Sequence, residues 1–205
     1  MARPSSRTEH GFARLVNFSD AVVAIAISLL ILPVVDDISA DGYSSARQVL
    51  AANTDRLFAF VLSFAVIARF WLAHHEIFDR ITSYSPQLLW ANLLWLLTIV
   101  FMPLPTELLG VRGTDDAFIR FVYMGSVLGS NLALLLIKQI IERRPDLWLD
   151  PDRPRESLDP FYVTTALLTG ALVLGVTVPA IGLWAMLLLF LGGPLSTLLQ
   201  RLHTT

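Results

Sequence analysis

The chain has 205 residues, a formal net charge of −2 at pH 7, and a composition that is 55% hydrophobic and only 16% charged. Soluble domains carry about 25% charged residues, and here a mean hydropathy of +0.62 comes from apolar residues gathered in long blocks, which excludes a water-soluble domain. Near-neutral charge gives no electrostatic case for nucleic acid, and the absence of cysteine excludes disulfides, thiolate catalysis and cysteine-ligated metal.

A helix rises about 1.5 Å per residue, so roughly 20 mostly apolar residues cross a hydrocarbon core of about 30 Å. The blocks predict an all-α membrane protein, one unit over 1–205, with six transmembrane helices near 13–35, 55–77, 86–108, 116–141, 160–177 and 181–200. The basic stretch MARPSSRTEHGFAR could pass for a signal peptide's charged region. The apolar run behind it is long and lacks a clean cleavage site, so the expectation is an uncleaved first span.

The first span opens on Arg14, Phe18, Ser19 and Asp20. On an ideal wheel with Ile25 at zero, Leu29 falls at about +40°, Leu32 at about −20° and Ser28 at about −60°. These share one face, with Asp36 at about +20° beyond Pro33, whereas Asp20 points nearly the other way at about −140°. On geometry alone such a stripe is packing against a neighbour or lipid. Asp20 is different, because an ionised carboxylate inside a span costs about 2.5–3.5 kcal/mol on insertion scales and so needs a partner or water.

The second span brings Trp71, His74 and His75, and the third brings Trp90, Asn92 and Trp95. Alternating topology puts the histidine pair and Asn92 at the same depth as Arg14 and Asp20. A cluster of Arg14, Ser19, Asp20, His74 or His75, and Asn92 is therefore expected to fix the first span's pitch and rotation. Interhelical hydrogen bonds of this kind contribute about 0.6 kcal/mol on average and up to about 2.

In the fourth span Gly125-Ser126-Val127-Leu128-Gly129-Ser130 is a doubled small-xxx-small run, expected as a close contact within the bundle. The apolar run from Phe161 to Leu199 would be about 58 Å long as a single helix. Gly175, Pro179 and Gly182 divide it into two spans. With the N-terminus inside, Arg3, Arg7, Arg14, Arg80, Lys138, Arg143, Arg144, Arg153, Arg155 and Arg201 fall on the cytoplasmic side, against Arg47, Arg56, Arg112 and Arg120 outside. That bias predicts cytoplasmic termini.

Several chemistries are missing. There is no Gly-Lys phosphate loop, no TVGYG filter and no span with an arginine at every third position. His74-His75-Glu76 has no second cluster at metal spacing, so neither a structural metal, a cofactor nor an enzyme is expected.

Arg14-x-x-x-Phe18-Ser19-Asp20 resembles the R-x-x-x-F-S-D signature of the transmembrane protein 175 family of potassium channels. Ser63-Phe64, Trp71 and His74-His75-x-x-Phe78 resemble that family's second span, and Asn92-Leu93-Leu94 with Pro103-Leu104-Pro105-Thr106 its third. The likeness is close over about half the chain and extends to the six-span layout throughout.

The resemblance implies a central pore lined by the first helix of each repeat. Ile25 then matches the constriction, Leu29 and Leu32 the apolar layers above it, and Ser28 a layer often held by threonine. Asp36 becomes a candidate for the outer mouth. Animal members resemble two six-span units fused, so a single unit implies a homotetramer in a lipid bilayer, with K+ ions passing transiently. The setting implied is the plasma membrane of a prokaryote, multi-pass, with both termini cytoplasmic. The rival reading is a proton-coupled small-solute transporter with Asp20 and the histidine pair as relay, which the lack of an inverted repeat disfavours.

Overall fold

The computed structural model describes residues 6–40, 45–113, 116–150 and 158–178, with helix the main element and no strand among them. The expected sixth span at 181–200 lies outside the described residues. The elements run α1 (Ser6–Leu29), α2 (Leu32–Ala40), α3 (Ala46–Ala52), α4 (Thr54–Phe78), α5 (Pro86–Phe101), α6 (Pro103–Arg112), α7 (Ala117–Glu142), a 3-10 turn at Pro145–Leu147, and α8 (Asp159–Thr177). The stretches long and apolar enough to cross a bilayer are His10–Asp37, Thr54–Phe78, Pro86–Arg112, Ala117–Glu142 and Asp159–Thr177. The chain is an all-α, multi-pass membrane fold.

Two spans are each built from a pair of helices, and proline accounts for both breaks. Pro33 has no N–H to offer the Leu29 carbonyl. The ladder tightens there to Leu30 N→Ile27 O at 3.3 Å and Val34 N→Ile31 O at 3.1 Å, leaving a turn at Leu30–Ile31 between α1 and α2. Pro103 acts alike between α5 and α6, where Met102 N reaches Ile99 O at 3.1 Å. Capping sets other boundaries: Ser85 Oγ accepts from Leu88 N ahead of Pro86, and Asp116 Oδ1 accepts from Phe118 N and Ile119 N. Helix α6 closes on Gly113 at φ 73°, a left-handed conformation that suits a residue without Cβ.

The most buried span is α7, which packs on α8, α5, α6 and α4, while α1 packs on α5 and α4. Several of its buried polar residues find partners inside the bundle. Buried Arg120 donates Nε to Gly175 O at 2.7 Å and Nη2 to Val176 O at 3.3 Å, which supplies the last carbonyls of α8 with donors. Lys138 and Glu142 pair at 2.8 Å one turn apart, and Asn131 Nδ2 donates to Thr165 Oγ1 at 2.7 Å. Arg120 and Lys138 are thus buried helix residues rather than loop charges. Removing one from each side of the orientation count leaves its bias unchanged.

The small-residue run of α7 departs from expectation. A Cβ built at Gly125 or Gly129 would meet nothing within 4 Å, so no close helix contact forms there among the described residues. The run instead floors an apolar groove of about 600 Å³ walled by Leu97, Phe101 and Phe121.

One end of the bundle gathers three chain segments. Thr82 N→Leu147 O at 3.0 Å and Leu149 N→Arg80 O at 2.9 Å join the α4–α5 and α7–α8 connections. Phe12, near the start of α1, stacks on Phe78 at 6.1 Å at that same end. The α1–α2 break and the α6–α7 connection therefore lie toward the opposite end.

Candidate functional site

Helix α1 has two unlike faces. Leu15, Ser19, Val23, Ala26 and Leu30 are buried against α4 and α5, a spacing of three to four residues along one stripe. The opposite face is bare among the described residues: Phe18 is 52% exposed, Ile25 61%, Leu29 40% and Leu32 46%. Ser28 is exposed on that face as well, its hydroxyl donating back to Ala24 O at 2.8 Å. Both hydroxyl lone pairs stay available to a cation. Asp36 is exposed beyond the break, next to Asp37, which is paired with Arg56.

Behind this face the buried stripe is held by polar side chains. Ser19 Oγ donates to Leu15 O at 2.9 Å and accepts from Asn92 Nδ2 at 2.8 Å. The other end of that amide, Asn92 Oδ1, stands 2.8 Å from His74 Nε2. Since Oδ1 can only accept, the proton of this bond belongs to His74 Nε2. The imidazole is sandwiched between Trp95 at 4.2 Å and Phe78 at 4.0 Å, so its ring plane is fixed as well as its tautomer. A second strand of the network runs from Trp71 Nε1 to Asp20 Oδ1 at 2.9 Å.

The structure brings Ser19, Asn92 and His74 together, and joins Asp20 to Trp71. His75 is exposed: it stacks on Trp71 at 5.3 Å and lies 3.4 Å from Asp79 Oδ2. Neither histidine is the carboxylate's direct partner, since that role falls to the indole of Trp71. Arg14, expected within the cluster, stands exposed at the same end with no ion pair among the described residues. Its wheel angle, close to that of Ile25, describes its placement better than the expected pairing with Asp20.

Sequence reasoning missed a second buried polar cluster. Thr106 Oγ1 hydrogen-bonds Ser63 Oγ at 2.7 Å and also Met102 O at 2.8 Å, and Ser63 Oγ lies 3.1 Å from Tyr123 OH. It ties α4, α6 and α7 just beyond the Pro103 break. The signal was present as isolated hydroxyls in apolar spans, but nothing in the spacing says that they meet.

The family model described as endosomal/lysosomal potassium channel TMEM175 matches residues 14–103, which spans α1 through the start of α6 and holds both the exposed stripe and the polar network. Residues 14–103 carry the likeness to the TMEM175 family. The resemblance read from the signature residues is borne out.

Among curated relatives, a potassium channel of Streptomyces collinus is 38% identical over 103 residues, covering 50% of this chain and 50% of the relative. A potassium channel of Chamaesiphon minutus is 34% identical over 114 residues, 53% of each chain. The chain spans about half the length of these two relatives. The human endosomal/lysosomal proton channel TMEM175 is 28% identical over 90 residues, 44% of this chain and 18% of the human protein. The crystal structure of a homolog, from Chamaesiphon minutus, of the lysosomal potassium-selective channel TMEM175 superposes with a TM-score of 0.64 at 22% identity. It covers 92% of this chain and 97% of its own, so the TMEM175 fold extends well beyond the matched segment.

Proposed function

We propose that this TMEM175-like chain is a potassium-selective, leak-type cation channel that assembles as a homotetramer in the plasma membrane of a prokaryote, with both termini cytoplasmic. The observation that carries the proposal is the asymmetry of α1. A hydrogen-bonded network locks one face, while Ile25, Ser28, Leu29 and Leu32 on the other stand exposed, packed against no neighbouring helix among the described residues. Relatives named as potassium channels supply the ion.

In the assembly, cyclic symmetry turns the exposed face of each α1 toward a common axis. Ile25 side chains from all copies form the narrowest ring, with Leu29 and Leu32 as further apolar layers. A ring of that kind excludes water when narrow and conducts once the helices spread, without any chemical step. Ser28 oxygens replace part of a cation's hydration shell. Asp36 carboxylates at the outer end raise the local cation concentration. The network of Ser19, Asp20, Trp71, His74 and Asn92 acts behind the pore as a clamp that sets which residues face the ion.

Reconstitution into liposomes with an imposed potassium gradient tests the proposal. A saturable-free, gradient-linear potassium flux that exceeds sodium flux is the expected result. Uptake that depends on a proton gradient and on solute would support the transporter reading instead, and no ion flux at all would remove both.

A further inference from the structure

The outer end of the first span carries an ion pair, Arg56 with Asp37, beside the mouth residue Asp36. Arg56, in the first turn of α4, is paired with Asp37 of α2, and its Nη1 donates to Asn53 Oδ1 at 3.3 Å. Its stem is held by a close approach: a Cβ built at Gly110 of α6 would stand 2.8 Å from Arg56 Cγ. Arg56 Nε is buried and has no hydrogen-bond partner among the described residues. Asp36, Asp37 and Glu107 line one cleft of about 470 Å³ with Pro33 and Arg56. One guanidinium thus stands among carboxylates offered by two elements, α2 on one side and α6 on the other, with donor capacity to spare.

The two elements differ in how firmly they are held. Helix α1 is anchored by the Ser19–Asn92–His74 and Asp20–Trp71 bonds, but α2 begins beyond the Leu30–Ile31 break, where Pro33 leaves the Leu29 carbonyl without its ladder donor. Movement of the outer segment therefore leaves the Ile25 end in place. Partly exposed ion pairs are individually weak. Exchanging the Asp37 pairing for another carboxylate of the same cleft therefore costs little, as a bistable element requires.

We propose that Arg56 is an exchange latch: paired with Asp37 it holds α2 against α4, and paired with Glu107 it releases α2 to swing about Leu30–Ile31. The consequence for ion flow rests on the channel reading; the motion itself does not.

Hydrogen exchange of the liposome-reconstituted protein, read by mass spectrometry over residues 32–37 and 15–29, tests it. Arg56→Gln removes both pairings and is expected to speed exchange in 32–37 by about fivefold, the change that a pair of this exposure commands, with 15–29 unaltered. Gly110→Ala, which displaces the arginine stem, is expected to do the same. Glu107→Gln removes only the released-state pairing and is expected to slow exchange in 32–37. Equal exchange in all three variants, or Arg56→Gln and Glu107→Gln shifting it in one direction, overturns the latch. Potassium flux is measured on the same vesicles, where the two variants are expected to move it oppositely. Opposite exchange shifts in a protein without flux leave the latch standing and remove the channel reading.

Discussion

At the residue scale, the first helix has one face packed and hydrogen-bonded and one face exposed. Ile25 is exposed and touches nothing that its truncation would orphan, so Ile25→Ala is expected to leave assembly intact while raising conductance and weakening potassium-over-sodium selectivity. Single-channel currents and reversal potentials check this; values equal to those of the parent protein would take Ile25 out of the constriction. Asn92 behaves in the opposite way. Asn92→Leu leaves Ser19 and His74 buried with unmet hydrogen bonds, each costing about 1–3 kcal/mol, so a clear fall in the thermal midpoint of the solubilised assembly is expected. Asp20→Ala leaves the Trp71 indole without its acceptor, and is expected to lower stability more than it alters selectivity. A stable assembly that passes sodium would reverse the assignment of Asp20 to the clamp. These two classes of residue were distinguishable in the sequence by wheel angle. The individual bonds were not, because an angle says which way a side chain points and not what meets it. Hence Trp71, rather than a histidine, proved to hold Asp20.

At the element scale, prolines and buried cations decide how helices end. Arg120 gives the last carbonyls of α8 their donors, and the helix closes on Val178, whose N–H still reaches Leu174 O at 2.8 Å. Arg120→Met keeps the volume but removes both bonds, and a loss of about 1–3 kcal/mol is expected from the orphaned carbonyls. It should appear as faster hydrogen exchange over 170–177 with the rest of α7 little changed. The connection between α7 and α8 carries a different kind of pair. Arg144 donates Nε and Nη2 to the two carboxylate oxygens of Asp146, both at 2.9 Å, and these bonds hold the Asp146 carboxyl below the usual carboxylate range. A depressed carboxyl contributes above its unfolded value, about 3.9, and the contribution fades as pH falls through the folded value. The pair is therefore expected to stay intact from pH 5 to 8, and an NMR titration of the Asp146 carboxyl carbon checks it. A midpoint above the ordinary range would contradict the fork.

At the scale of the whole molecule, the exposed face of α1 and α2 makes sense when several copies share it. An apolar stripe followed by Asp36 is a poor match to lipid alone, because acyl chains offer the carboxylate no partner. Around the axis of the proposed assembly the same residues would meet water and cations. Asp36→Asn is expected to lower conductance at low ionic strength and to have little effect near 1 M salt, where the Debye length shrinks to about 3 Å. Conductance independent of Asp36 at low salt would remove it from the mouth.

The sequence by itself determined the all-α membrane class, because hydrocarbon admits few ways to satisfy a backbone and a run of twenty apolar residues names one of them. Its signature residues also determined the TMEM175 likeness and which face of the first helix was polar at its base. Only the tertiary structure decided who pairs with whom: His74 with Asn92, Asp20 with Trp71, Arg56 with Asp37, and Thr106 with Ser63. The small-residue run in α7 shows the same limit, since spacing permits a close helix contact but does not supply the partner. Periodicity is a property of one helix and can be read along the chain. A hydrogen bond between helices depends on their relative rotation and depth, and those are fixed only when every span has packed.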